Sequence, residues 1–382
     1  MLSPDDSEWG QSMLTPTPER EELRAVVRDL LATHSPEAAV RSFLDARQGF
    51  DTATWKVMTD QVGIAALAIP EEYGGAGFGF GELAVVMEES GRALACVPLL
   101  STCVLATGAL LISGDESAAR TYLPGIAEGT TIATVALLDD TDSLTADAVH
   151  TRAQRSADGF TITGTKTFVI DGADAHLLLV PARTDAGVAL FAVESQAGGV
   201  HAEPLATLDQ TRNLATLTFD DAPATLVGTD GDGWSYIEAV LDLGAAGLAA
   251  EQVGAAARVL ETTVDYAKVR EQFGRPIGSF QAIKHKLADM LVELESARSA
   301  AYYACGAAES GADDLPLAAS IAKAYCSDAF YHIAAESIQI HGGIGFTWEH
   351  PAHLYFKRAR SSQTLLGSTG HHRERVAQLA GL

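Results

Sequence analysis

The spacing of apolar residues along this chain changes period twice, which divides it into three stretches. In the first, Leu23, Val26, Val27, Leu30 and Leu31 recur at helical spacing behind Thr17-Pro18, a pair that reads as a helix start. The run FGELAVVMEESGRALACVPLLSTCVLATGALLISG predicts one or two further helices, broken near Pro98. Between them, IPEEYGGAGFGFG (Ile69–Gly81) reads as a glycine-rich turn. It does not fit GxGxxG, and no strand-then-helix pattern brackets it, so a dinucleotide loop is not predicted there.

From about Thr131 the runs TTIATVALL, GFTITGTKTFVI, AHLLLVPA, VALFAVES and ATLTFDD are short, β-rich and separated by Gly, Asp and Asn. With no helical period between them, they predict an antiparallel sheet or small barrel. From about Gly233 the helical period returns in three long runs, Ala245–Phe273, Ser279–Ser310 and Leu315–Gly343, the last ending on glycine. The expected fold is therefore α+β: an N-terminal helical domain over 1–130, a middle antiparallel β domain over 131–230, and a four-helix-bundle-like domain over 231–382.

Composition narrows the class. A chain of 382 residues, 47% hydrophobic and 20% charged, can bury a sizeable core. No apolar run reaches the roughly 18 residues that span a bilayer. The N-terminal MLSPDDSEWGQS is acidic and lacks a signal-peptide core. Cys96, Cys103, Cys305 and Cys326 form no CxxC, so buried thiols of a cytoplasmic protein are expected and a metal site is not. The net charge of −24 argues against nucleic acid. From Lys268 to Arg375, however, 12 Lys and Arg face 11 Asp and Glu, against 14 and 39 elsewhere. A phosphate-bearing ligand belongs on that C-terminal third.

Within it, QTLLGSTGHHRE (Gln363–Glu374) offers serine, glycines and two histidines. It is not a Walker loop, because no lysine follows the glycines in register, and Leu366 occupies the place of the first glycine of a GxSxG elbow. His371 and His372 are adjacent, so on a helix they diverge by about 100° and make a poor metal pair.

Three motifs carry a resemblance that extends over nearly the whole chain: GIAALAIPEEYGGAGFG, VREQFGRPIGSFQAIKHKLADM (Val269–Met290) and IQIHGGIGFTWEHPAHLYFKRAR (Ile338–Arg360). In these the chain resembles the acyl-CoA dehydrogenase family. The resemblance implies α,β-dehydrogenation of an acyl-CoA thioester with FAD, which in the family lies between the β domain and the C-terminal bundle. A neighbouring subunit covers the adenosine diphosphate, and an electron-transfer flavoprotein takes the electrons. Arg270, Gln272 and Phe273 match the segment reaching a partner's pyrophosphate, a task suited to an always-charged fork. Phe280-Gln281 match the next FAD-contacting pair. Gln339, Gly342 and Gly343 match a turn against which the dinucleotide packs, where glycines permit positive φ and close approach. Gly367-Ser368 match the turn beside FAD, with HHRE opening the last helix. Without the family context, Arg270 would be a surface cation, and Gly342-Gly343 an ordinary helix cap.

The chain departs from the family where chemistry is expected. The catalytic carboxylate normally precedes the glycine at Gly367, and here that residue is Leu366. The alternative position, on the helix ahead of REQFG, falls on Gly244 between Leu243 and Ala245. Asp242 and Glu251 are the nearest acids; Glu251 is the candidate base, and a solvated or paired side chain is the competing reading for both. A TEPG-like turn is replaced by ALLDDTDSL. In the strand that reads K-x-W-I-T-N in relatives, Phe168 keeps an aromatic for the flavin ring, but Ile170 stands where the flavin-bonding threonine is expected. Arg212 is expected either at a subunit interface or in a salt bridge on a sheet edge. The resemblance thus implies either a homo-oligomer or a hetero-oligomer with a paralogue, as in bacterial α2β2 members active in steroid side-chain degradation. This chain would then be the base-lacking subunit or a catalytically silent scaffold.

Overall fold

A computed structural model describes residues 16–46, 49–141, 143–156 and 159–382, so the acidic leading stretch lies outside the described residues. In chain order the helices before the sheet are α1 (Pro18–His34), α2 (Glu37–Ala46), α3 (Thr52–Val57), α4 (Phe80–Arg92), α5 (Thr107–Ile112) and α6 (Glu116–Ala127). The strands are β1 (Ala133–Val135), β2 (Arg152–Ser156), β3 (Gly159–Ile170), β4 (Leu177–Arg183), β5 (Val188–Glu194), β6 (Val200–Pro204) and β7 (Leu214–Val227). Then come α7 (Gly233–Val269), the hairpin β8 (Glu271–Gln272) and β9 (Arg275–Pro276), α8 (Gln281–Ser310), α9 (Leu315–His341), α10 (Ala352–Thr364) and α11 (Thr369–Leu379).

The chain divides into two compact units. The first combines the stretch up to Arg41 with Phe80–Ala95 and Ala245–Leu382. Its centre is α9, which packs against α8, α10 and α11. A helix touched on several sides must be apolar all round, and Ala318, Ala319, Ala322, Phe330, Ile333 and Ala334 are all buried. Thr17 caps α1 by accepting from the Arg20 amide. The apolar stripe of α1 is narrower than its spacing suggests: Val27 and Leu31 are buried, but Val26 is exposed. Helices α4 and α7 touch backbone to backbone, because a Cβ at Gly91 would strike the Glu251 carbonyl and one at Gly254 the Glu88 carbonyl. Across this contact lie two buried carboxylates of α4. Glu88 accepts from Arg24 and Tyr302 at 2.8 and 2.9 Å, and Glu89 accepts two bonds from Arg28 at 2.7 and 2.8 Å. Their burial is tolerable because both are paired and hydrogen-bonded.

The helical period of Ala245–Phe273 overruns the helix, which stops at Val269. Phe273 (φ 54°) and Gly274 (φ 75°) instead turn the chain into the β8–β9 hairpin.

The second unit combines Ser42–Gly79 with Cys96–Gly244. Strand pairing runs β4-β2-β3-β7-β5, and β5 returns to β4, so the sheet closes as a small barrel. It is mixed rather than purely antiparallel, because β1 pairs with β4 in parallel and β2 meets β4 in parallel at Arg152 and Arg183. The apolar stretch broken near Pro98 stops as a helix at Arg92 and resumes after Pro98 as a fully buried π-helical segment, Leu99–Ala106. Thr102 ties that segment to β1, its hydroxyl donating to the Ala133 carbonyl and accepting from the Ala133 amide. All four cysteines are buried, and none is in a disulfide. No helix among the described residues is long and apolar enough to cross a membrane.

Candidate functional site

The turn between α10 and α11 is built from an unfavourable backbone. Leu366 has φ 56° and Gly367 φ 101°, the left-handed region that suits glycine and not leucine. A Cβ at Gly367 would lie 2.8 Å from the His371 ring and 2.9 Å from His372 Nε2, so glycine is needed there for space as well as conformation. Buried donors hold the turn. His372 Nε2 donates to the Leu366 carbonyl at 2.9 Å, which assigns the proton to that nitrogen. Burial pushes His372 down to about 3, so its ring is neutral. Lys323 of α9 donates to the carbonyls of Ser362 (2.9 Å) and Gly367 (3.1 Å) and to Ser327 Oγ (3.1 Å). The Leu366 side chain is buried. Ser368 is exposed and its hydroxyl accepts from the His371 amide, capping α11.

Glu251 is neither solvated nor free. It is buried on α7, and Arg358 Nη1 of α10 donates to its Oε1 at 2.8 Å, with the two side chains 8% and 3% exposed. With Oε1 engaged by the guanidinium, the carboxylate is a poor candidate for the base. Asp242 is buried as well.

The other expected residues gather at one end of the bundle. The β8–β9 hairpin joins α7 to α8, and α9 ends at Gly342 (φ 64°) beside the last turn of α7, where Tyr266 donates to the His341 carbonyl at 3.3 Å. Arg270, Gln272, Phe273, Gln281, Gln339, Gly342 and Gly343 are all exposed there, Phe273 at 92%. Phe280 is half-buried, packed edge-on by Phe273 at 6.0 Å and capped by the Arg275 guanidinium at 4.1 Å. A Cβ on Gly342 or Gly343 would meet nothing within 4 Å, so this surface is open to a close-lying ligand.

These residues do not converge with Gly367 and Ser368. The Gly367 carbonyl is tied to Lys323, and from Lys323 to Gly342 the chain climbs α9 by roughly 28 Å at 1.5 Å per residue. The two groups of residues therefore stand apart along α9.

In the second unit, Phe168 is 54% exposed with φ 52°, at a bulge where β3 shifts register against β7 between Lys166 and Val169. Ile170 is buried. The ALLDDTDSL stretch is pinned by a buried ion pair of Asp139 with Lys166. Burial alone would raise the Asp139 carboxyl, but the Lys166 ammonium and donors from Thr151 hold it below its usual range, while burial pulls Lys166 down to about 8. Arg212 is buried in the turn before β7, not set on a sheet edge.

Lys323, Arg358 and the fixed role of His372 do not stand out in the sequence. Lys323 left a trace, the lone cation in the apolar run LAASIAKAYC. Arg358 left none, since KRAR reads as solvated charge.

An α–β–α chain with an open, basic and aromatic arm at one bundle end and a rigid turn far from it is the architecture these features define. Comparison with known proteins names it. The chain matches the acyl-CoA dehydrogenase N-terminal domain over residues 17–130, the middle domain over 136–222 and the C-terminal domain over 231–380. Acyl-CoA dehydrogenase IpdE2 of Mycobacterium tuberculosis is 39% identical over 93% of this chain and 95% of its own length. The ChsE4-ChsE5 complex from Mycobacterium tuberculosis is 31% identical, with a TM-score of 0.88 over 96% of this chain and 98% of that one. A variant of the Tcur3481-Tcur3483 steroid ACAD is 34% identical, with a TM-score of 0.85 over 95% of this chain and 98% of that one. The chain belongs to the acyl-CoA dehydrogenase family, whose members depend on FAD.

Proposed function

We propose that this chain is the base-lacking subunit of a hetero-oligomeric acyl-CoA dehydrogenase, in which a paralogue supplies the carboxylate that removes the α-proton. The observation that carries this reading is the engagement of Glu251, the candidate base, by Arg358, while the expected base positions, Leu366 and Gly244, hold no carboxylate. The exposed arm supports the sharing of a cofactor. Arg270 offers a fork for a pyrophosphate, Phe273 and Phe280 offer faces for stacking, and Gly342 and Gly343 leave room for close approach. Bound FAD would accept the hydride from the β-carbon of the acyl thioester. Phe168 offers an exposed aromatic face to a flavin ring, and the Gly367-Ser368 turn is held in place by Lys323. The two half-sites, roughly 28 Å apart along α9, suit one chain serving two cofactors with its neighbour. Relatives with solved structures include a ChsE4-ChsE5 complex and a Tcur3481-Tcur3483 steroid ACAD, which makes a paralogous partner and a steroid-derived acyl-CoA the first choices to try.

The test is spectroscopic. The chain purified alone should be colourless, and co-expression with a paralogue that carries a glutamate before its own turn glycine should give a stoichiometric flavin spectrum that bleaches with acyl-CoA. A flavin spectrum of the isolated chain that bleaches with acyl-CoA would rule the proposal out.

A further inference from the structure

Lys323 is fully buried, its ammonium out of contact with bulk solvent. An apolar side chain of that length would fill the same space without the desolvation cost of several kcal/mol. What the amine does instead is hold the α10–α11 turn. Three ammonium protons meet three acceptors, the carbonyls of Ser362 and Gly367 and the hydroxyl of Ser327. Ser327 in turn accepts from Gln252 of α7 at 3.1 Å, so the network runs from α7 through α9 to the turn. Around it, Gln252 Oε1 and His372 Nδ1 are buried with no partner among the described residues, and both are acceptors, so neither can replace the amine as donor to the carbonyls.

We propose that Lys323 is a positioning residue whose ammonium fixes the Leu366–Ser368 turn and releases it on deprotonation. The functional part of this rests on reading Gly367-Ser368 as the cofactor-facing turn. The mechanism is a count: an ammonium donates three hydrogen bonds and a neutral amine only two, so the three contacts cannot all persist as donations from the amine, and loss of the one to the Gly367 carbonyl frees the turn. Burial pulls the amine down to about 7, which places that change in the neutral range. The groups facing it are Cys326, Ser327 and Asp328 on α9, Ser362 on α10, Gln252 on α7, and His371, His372 and Arg375 on α11. Asp328 is itself paired with Arg373 at 2.7 Å, and His372 stays neutral down to about 3. Burial holds His371 below its usual value and pushes Cys326 up to about 12, which leaves the amine as the group that changes charge near neutral pH.

Amide hydrogen exchange on the isolated full chain tests the positioning without any cofactor. Between about pH 6 and about pH 8.5, after correction for intrinsic exchange, protection of the His371 and His372 amides, both bonded to Ser368, should fall at least about tenfold, the value of one hydrogen bond from a charged donor. Lys323→Met should exchange fast at both pH values, and Ile333→Ala, a core truncation on the same helix, should keep the pH dependence. A flat wild-type profile overturns the proposal even if Lys323→Met does not fold, and so does equal loss of pH dependence in Ile333→Ala. In the co-expressed complex, Lys323→Met should weaken FAD binding about tenfold or more. A wild-type complex without flavin refutes the proposed function and leaves the exchange result standing. Equal FAD affinity in wild type and Lys323→Met refutes the positioning role.

Discussion

Substituting Arg358 by alanine puts the ion pair on α7 and α10 to a quantitative test. Both side chains are almost fully buried and the bond is 2.8 Å, so removing the guanidinium leaves the Glu251 carboxylate in the core with its charge partner gone. Breaking a buried pair on one side costs about 3–5 kcal/mol, far above the about 0–1 kcal/mol of a surface pair. Replacing both partners together, as Glu251→Leu with Arg358→Met, removes the desolvated charges along with their attraction and should come out near neutral. The assay is urea unfolding of Arg358→Ala and of the cycle formed by Glu251→Leu, Arg358→Met and the double variant. Arg358→Ala should lower the midpoint of the transition that reports the helical unit, and the double variant should recover most of the loss. The coupling in that cycle should reach about 2 kcal/mol or more. Activity adds an independent readout: in the hetero-oligomer, Glu251→Gln should leave turnover within about a factor of two, because a carboxylate committed to Arg358 removes no proton. A coupling near zero, or a loss of about a hundredfold or more in kcat for Glu251→Gln, would refute the reasoning and restore Glu251 as the base.

Other outcomes follow from the same geometry. Gly367→Ala should cost at least about 1–2 kcal/mol in thermal unfolding, because φ 101° and the histidine rings both exclude a Cβ. Phe273→Ala should barely change the melting temperature, since the ring is 92% exposed, yet it should strip flavin from the co-expressed complex. His372 lies at about 3 when folded against an ordinary 6.5, so only the unfolded chain takes up its proton between those values. Stability should therefore fall as pH drops through that window, by up to about 1.4 kcal/mol per pH unit, and His372→Gln should flatten the slope. Lys323, at about 7 against 10.5, is likewise deprotonated only in the folded chain between those values. Its contribution should grow as pH rises from about 7 to 10.5 and vanish in Lys323→Met.

Local signals in the sequence determined the element types. Thr17-Pro18 opens a capped helix, the all-round apolar Leu315–His341 run becomes the buried centre of the bundle, and Gly342 ends it at positive φ. Period and caps act over a few residues, so one chain suffices to read them. The closure of the barrel through a parallel β2–β4 contact was not readable, because strand order depends on pairings between distant segments. Nor was the state of Glu251: its partner lies 107 positions away in a cluster that looks solvated. The same holds for Lys323, whose acceptors at Ser362 and Gly367 are backbone carbonyls that no residue type announces. The residues near the site were legible as types. Whether an acid is free or held, and whether two half-sites meet or stand apart, was decided only by tertiary packing, because burial and charge pairing are properties of neighbours that the chain order does not place together.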